Sequence, residues 1–198
     1  MNSRTFQAKD AHKLEDPERL RWLPPGDVVA ALQLRKGTAV ADIGAGTGYF
    51  TLPIATAVGE KGQVFAVDFQ EEMLLLLQKK LQRNPAAGNI TLVRGEASAT
   101  TLPSGSVDLK FLANVWHELD DHPAVLKEAR RIIRPDGRIA ILDWRPDVTV
   151  PPGPPREHRI AAEAVADVLR SAGWKMLSLV PVGTYSYLVQ AEISVRLP

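Results

Sequence analysis

The chain has 198 residues, 45% of them hydrophobic and 24% charged, with a formal net charge of +1 and no cysteine. That length suits one domain with a full core, and the missing cysteines exclude disulfides, thiolate nucleophiles, thiolate metal sites and cysteine-dependent arsenic methylation. A near-neutral charge offers no field for nucleic acid, and no apolar run approaches the roughly 18 residues of a membrane span.

The opening stretch, residues 1–10, is polar and lacks the apolar region of a signal peptide, so a cytoplasmic location is expected. Residues 1–37 read as an arm or lid followed by a short helix over 28–34 with Asp27 as its N-cap. An exposed arm of this kind could serve a homodimer. From Thr38 onward, short runs rich in Val, Ile and Ala alternate with segments of helical period, the pattern of a parallel sheet covered on both faces. Strands are expected at 39–43, 63–67, 90–94, 107–112 and 138–143, and helices near 49–58, 71–83 and 123–133.

Turn chemistry marks the boundaries, with Gly59-Glu60-Lys61-Gly62 after the first helix of the alternating region and Arg134-Pro135-Asp136-Gly137 before the fifth strand. Arg130, Arg131 and Arg134 read as the basic last turn of a helix, and Asp120-Asp121 as the cap of the helix near Pro123. Val150-Pro151-Pro152-Gly153-Pro154-Pro155 can hold neither helix nor central strand and reads as a stiff loop. A helix over 156–172 ending at Gly173, then strands over 175–182 and 185–195 around Gly183-Thr184, close the chain as a hairpin. The class is α/β in a single domain, with a core over 38–144 and a substrate-side loop, helix and hairpin over 145–198.

The glycine string Asp42-Ile43-Gly44-Ala45-Gly46-Thr47-Gly48 follows a strand and precedes a helix, where a nucleotide needs close approach to backbone. A tight strand-to-helix turn would show the same glycines, so flanking acids carry more weight. Asp68 ends the second strand about twenty residues later, where a carboxylate can accept both hydroxyls of a ribose. Asp42 sits inside the first strand, where a carboxylate is costly to bury unless something binds it.

These residues resemble the class I S-adenosylmethionine-dependent methyltransferases, more closely their ubiquinone/menaquinone-biosynthesis-like small-molecule branch. Residues 40–51 are similar to the first family motif, Val64-Phe65-Ala66-Val67-Asp68-Phe69 to the second, and Gly95-Glu96-Ala97 to the third. Val107-Asp108-Leu109 with Asn114-Val115-Trp116-His117-Glu118-Leu119 resembles the fourth strand and its exit, and the likeness spans roughly residues 14–188. The resemblance implies S-adenosylmethionine as cofactor and S-adenosylhomocysteine as product. It places Asp42 at the methionine ammonium, Asp68 on the ribose, and Phe69, Glu96 and Ala97 about the adenine, with Gly44, Ala45, Gly46, Gly48 and Asn114 also among the cofactor-binding residues. It also implies a Rossmann-like, doubly wound seven-stranded sheet, mostly parallel, with one antiparallel strand from the C-terminal hairpin, in the order 3-2-1-4-5-7-6.

Methyl transfer from a sulfonium is an in-line displacement, so the protein contributes alignment and electrostatics, and a base only if the acceptor loses a proton. His117, at the exit of the fourth strand, is the candidate base or substrate contact, against the alternative of a structural histidine bonding Glu118 or Asp120. Trp116 and Trp144 could line an apolar acceptor pocket, or simply pack. Trp22 and Trp174 read as core or lid packing. Arg156 and Arg159 could meet an anionic acceptor, though solvated arginines are commoner. His12, His122 and His158 lack metal-ligand spacing, so no metal is expected. The exit lacks the Asn-Pro-Pro-Tyr type string of methyltransferases acting on nucleobase or glutamine amino groups. Two rivals stay open: a binding protein without turnover, and a nicotinamide-dependent oxidoreductase, whose G-x-G-x-x-G would need glycine where Tyr49 stands.

Overall fold

The computed structural model describes residues 5–84, 88–148 and 153–194. Seven strands, β1 (Ala39–Ile43), β2 (Gln63–Asp68), β3 (Ile90–Arg94), β4 (Val107–Ala113), β5 (Ile133–Trp144), β6 (Trp174–Val182) and β7 (Ser186–Ile193), form one sheet in the order β3-β2-β1-β4-β5-β7-β6. β1 to β5 run parallel, and β7 lies antiparallel between β5 and β6. The central strands are apolar because helices cover both of their faces: every residue of β1 is buried, whereas the edge strand β6 alternates toward solvent.

The helices are α1 (Arg19–Trp22), α2 (Pro25–Leu32), α3 (Thr51–Val58), α4 (Glu71–Leu81), α5 (His122–Ile132) and α6 (Ala162–Ser171). Strand alternation sorts the side chains. Val40, Leu109, Phe111, Ala140 and Leu142 pack with α2 and α3 on one face, while Ala41, Leu112, Ile139 and Ile141 pack with α5 and α6 on the other. The same alternation sends consecutive residues at the carboxyl ends of β4 and β5 to opposite sides of the sheet, which is what builds the site.

Several local expectations are corrected. α2 starts at Pro25, not Val28, with Pro24 as its N-cap in place of Asp27; proline tolerates the first helical turn, where its missing N–H is no loss. β5 begins at Ile133, so residues 134–137 lie within the strand, opposite an irregularity of register between Val107 and Leu109. A Cβ at Gly137 would come within 2.7 Å of the Asp108 carbonyl, so this close strand approach needs the glycine. Arg134 belongs to β5 and pairs with Asp108 at 2.7 Å, leaving Arg130 and Arg131 in the last turn of α5.

The helix expected over 156–172 is split into a 3-10 turn at Arg156–His158 and α6 from Ala162, because the Arg159 side chain bonds the Pro154 carbonyl and Ala161 is extended. Asp121 does cap α5, accepting the Ala124 N–H at 2.9 Å. β7 spans Ser186–Ile193; Val195 and Val150, Pro151 and Pro152 of the proline loop lie outside the described residues. No helix among the described residues is long and apolar enough to cross a membrane.

Candidate active site

The site is built where β1, β2, β4 and β5 end. At β1 the chain turns sharply: Gly44 and Ala45 donate their N–H groups to the Val67 carbonyl at 2.8 and 3.1 Å, stitching the glycine loop to β2. Gly44 has φ +67°, and a Cβ there would stand 2.4 Å from Val115 Cγ2; Gly48 has φ +84°, and its Cβ would meet Leu77 Cδ1 at the same distance. Both positions therefore exclude side chains by conformation and by space. The Gly44 contact also shows that the glycine loop and the turn bearing His117 touch directly.

Asp68 is buried, and the loop is organised around it. Its Oδ2 accepts the Gly46 N–H at 2.9 Å and its Oδ1 the Gln70 N–H at 2.9 Å. A carboxylate has about four lone-pair sites, so an acid fixed in this way still has acceptor capacity for hydroxyls. Burial raises its pKa above the ordinary 3.8 against these amide bonds. Phe69 beside it is 40% exposed, an apolar ring left open to the site.

Asp42, on the α3 side of β1, accepts the Thr51 hydroxyl at 2.6 Å. Burial lifts its pKa to about 6, opposed by that bond and reinforced by the neighbouring charge of Asp68. Asn114 ends β4 in the left-handed region, φ 58°, and its Oδ1 is buried with no hydrogen-bond partner among the described residues. A strained backbone and an orphan acceptor at a strand exit are features that ligand sites retain. Glu96 is exposed, and the Ala97 carbonyl is taken by Lys110 at 2.7 Å.

On the other side of the edge, His117 and Asp143 form a dyad. The Asp143 Oδ1 lies 2.7 Å from His117 Nδ1, its Oδ2 accepts the His117 backbone N–H at 3.0 Å, and Oδ1 also accepts the Trp144 N–H at 2.8 Å. A carboxylate partner fixes Nδ1 as the protonated nitrogen and leaves Nε2 as the working one. Nε2 faces Glu118 Oε1 across 4.0 Å, too far for a direct hydrogen bond. Burial disfavours the imidazolium, but the Asp143 hydrogen bond and charge, aided by Glu118, outweigh it and raise the pKa above 6.5. Burial likewise pushes the Glu118 carboxyl up to about 7. The structure favours the partner Asp143 over Glu118 or Asp120 for the histidine; Asp143 was missed because only strand alignment brings together residues 26 apart in sequence.

The tryptophans divide. Trp116 is 0% exposed, sits in the core and stacks on His122 with centroids 4.1 Å apart. The 3-10 turn Trp116–Glu118 directs the indole into the core and the buried imidazole onto Asp143, so Trp116 is core packing and not a pocket wall, a correction to the sequence reading. Trp144, one residue after Asp143, faces the opposite way, against Trp22 at 5.3 Å, with the Arg159 guanidinium 5.6 Å from its ring. Gly153 packs on that ring so closely that a Cβ would fall 2.8 Å from it. Arg159, half-buried, is held by the Pro154 and Arg145 carbonyls, and Arg156, exposed, by the Pro146 carbonyl, so both brace the loop.

The N-terminal arm crosses this edge and is bonded to it. The Phe6 N–H donates to Glu118 Oε2 at 3.2 Å, Gln70 Nε2 donates to the Phe6 carbonyl at 2.8 Å, and Gln70 Oε1 accepts the Ala8 N–H at 3.0 Å. Further along, Glu15 accepts the Thr47 hydroxyl and the Lys80 ammonium, and Leu14 lies against Gly46. That Gln70, Glu15 and Glu118 hold the arm escaped the sequence reading, because nothing in their spacing announces a partner more than 30 residues away.

A methyltransferase domain family matches residues 41–141. The structure is similar to that of a SAM-dependent methyltransferase from Aquifex aeolicus, with 33% identity, TM-score 0.88, and 94% of this chain and 98% of that one covered. The sequence is similar to a demethylmenaquinone methyltransferase of Geobacillus kaustophilus, 31% identical over 63% of this chain and 52% of the relative. A ubiquinone/menaquinone biosynthesis C-methyltransferase of Pseudoalteromonas translucida is 34% identical over 59% of this chain and 46% of its own length. The chain thus spans about half the length of the curated relatives it matches.

Proposed function

Since this chain belongs to the class I S-adenosylmethionine-dependent methyltransferases, we propose that it transfers a methyl group from S-adenosylmethionine to a small-molecule acceptor, releasing S-adenosylhomocysteine. The residues at the glycine loop fit that cofactor. Asp68, held by two amides, keeps lone pairs for the ribose hydroxyls, and Phe69 offers an apolar face for the adenine. Asp42 suits the methionine ammonium, and the orphan Asn114 Oδ1 offers an acceptor beside it.

The observation that carries the reading is the His117–Asp143 dyad on the turn that touches Gly44. Bound cofactor supplies an electrophilic methyl on a sulfonium. Asp143 holds the Nδ1 proton, so His117 Nε2 takes the proton that the acceptor oxygen, nitrogen or carbon gives up as its bond to the methyl forms. The names of the curated relatives support a hydroxylated aromatic ring, of the quinol type, as acceptor. We place the enzyme in the cytoplasm, without a nucleic-acid partner, and a homodimer is a reading for light scattering to test.

Calorimetry with S-adenosylmethionine, S-adenosylhomocysteine and NAD tests the cofactor: binding of the first two and not the third is expected, and NAD alone would sink the reading. Radiolabelled methyl transfer to a panel of quinols, phenols, acids and amines tests turnover. Cofactor binding with no labelled product from any acceptor would favour a binding protein.

A further inference from the structure

Lys110 stands in β4 on the face that carries α5 and is 0% exposed, flanked in the strand by the buried side chains of Leu109 and Phe111. A buried ammonium costs several kcal/mol unless well held. Its Nζ donates to the Ala97 carbonyl at 2.7 Å and to the Val125 carbonyl of α5 at 3.2 Å. Ala97 belongs to the loop after β3, and that loop is gripped at its other polar groups too. The Gly95 N–H donates to the Asp68 carbonyl at 3.1 Å. The Thr100 N–H and hydroxyl donate to Glu128 Oε1 at 2.8 and 2.6 Å, and Arg131 in turn holds Glu128. A cation therefore takes the loop's carbonyl and an anion its donors, both anchored on α5.

We propose that Lys110 is a positioning residue for the adenine end of the cofactor: by tying the Ala97 carbonyl to α5 it holds the loop over 95–100 at the distance from Asp68 that a bound adenosine requires. The inference rests on the cofactor reading above. The charged groups facing Lys110 are Glu128 and Arg131 of α5; β1 and β5 flank it at Ala41 and Ile139, which carry no charge. Burial pushes the lysine down to about 7, with Glu128 opposing and Arg131 adding to the fall. A neutral amine is a weaker donor than an ammonium, so the loop is held best below that pH. The signs then separate two roles. A lysine whose folded pKa lies below its unfolded value makes the fold more stable as pH rises from about 7 toward the ordinary 10.5. Over the same interval the cofactor is expected to bind less tightly.

Calorimetry with S-adenosylhomocysteine and with adenosine, from pH 6.5 to 8.5, tests this. Adenosine lacks the methionine end, so titration of Asp42 and His117 does not enter its profile, and a Glu118→Gln control removes the group near 7 that holds the arm at Phe6. Wild-type affinity for adenosine is expected to fall several-fold across the range, and Lys110→Met to weaken both ligands by the same factor, about tenfold, with a flat adenosine profile. If Lys110→Met does not fold, the wild-type adenosine profile decides alone, and a flat profile overturns the proposal. Equal adenosine affinity in wild type and Lys110→Met also overturns it. Wild-type protein that binds neither ligand at any pH overturns the cofactor reading, and this inference falls with it.

Discussion

The two halves of the sheet's carboxyl edge are made of different material. The cofactor half is backbone: amides of Gly44, Ala45 and Gly46 set on β2, glycines where no Cβ fits, and an arm clamped by Gln70. The half proposed for the acceptor is side chain on side chain: His117 on Asp143, and Trp144 against Trp22. A site made of backbone tolerates almost no change of residue but holds its geometry without help. One made of side chains keeps its fold through substitution and loses only its chemistry.

The sharpest way to break this contrast is Gly44→Ala. Left-handed strain of about 1–3 kcal/mol adds to a 2.4 Å approach to Val115. S-adenosylhomocysteine affinity is expected to fall roughly 100-fold by calorimetry, with turnover lost alongside. His117→Ala should do the reverse: turnover down about 100- to 1,000-fold, with cofactor affinity within about twofold. Asp143→Asn should match it in direction. If either variant loses cofactor binding in proportion, the two halves are not separable.

In the wild type, kcat/KM is expected to rise with pH through a value above 6.5 as His117 loses its proton, a limb absent from His117→Ala. The fold reads the same group with the opposite sign. With its folded pKa raised, the pair contributes stability fully below the ordinary 6.5 and loses it as pH climbs through the folded value. The melting-point advantage of wild type over Asp143→Asn should therefore shrink between pH 6 and 9.

Asp42 gives a smaller effect on the cofactor side. An ammonium needs it ionised, so affinity for S-adenosylhomocysteine should decline as pH falls through about 6, while Asp42→Asn binds about tenfold more weakly and loses that slope. The smallest effect is expected from Glu15→Gln, which leaves the Thr47 contact and removes the exposed ion pair to Lys80. A gain of about twofold in the cofactor's dissociation rate, read by stopped flow, is what a surface pair of roughly 0.5 kcal/mol would yield.

The same contrast explains what was legible in the sequence. Strand limits at Ala39–Ile43 and Ile90–Arg94 match expectation because an apolar run between turn residues is a local signal. The glycine loop and its two acids are local as well, spaced along a single β-α-β unit. His117 could be picked out by its place after β4, but Asp143 could not be assigned to it until β5 was aligned beside β4. Trp116 was misjudged because the sequence does not say which way a 3-10 turn rotates its side chains. Lys110 drew no reading from the sequence, because its meaning lies in two carbonyls from other elements.

The amide of Gln70 grasps the arm with both its oxygen and its nitrogen, one residue beyond Phe69 and two beyond Asp68. If the cofactor seats on Asp68 and Phe69 as proposed, its entry and departure would require the release of residues 6–8, a segmental opening separate from bond making. On this arrangement turnover would be paced by product residence time, and raised solvent viscosity would slow the enzyme even when every reacting atom is correctly aligned.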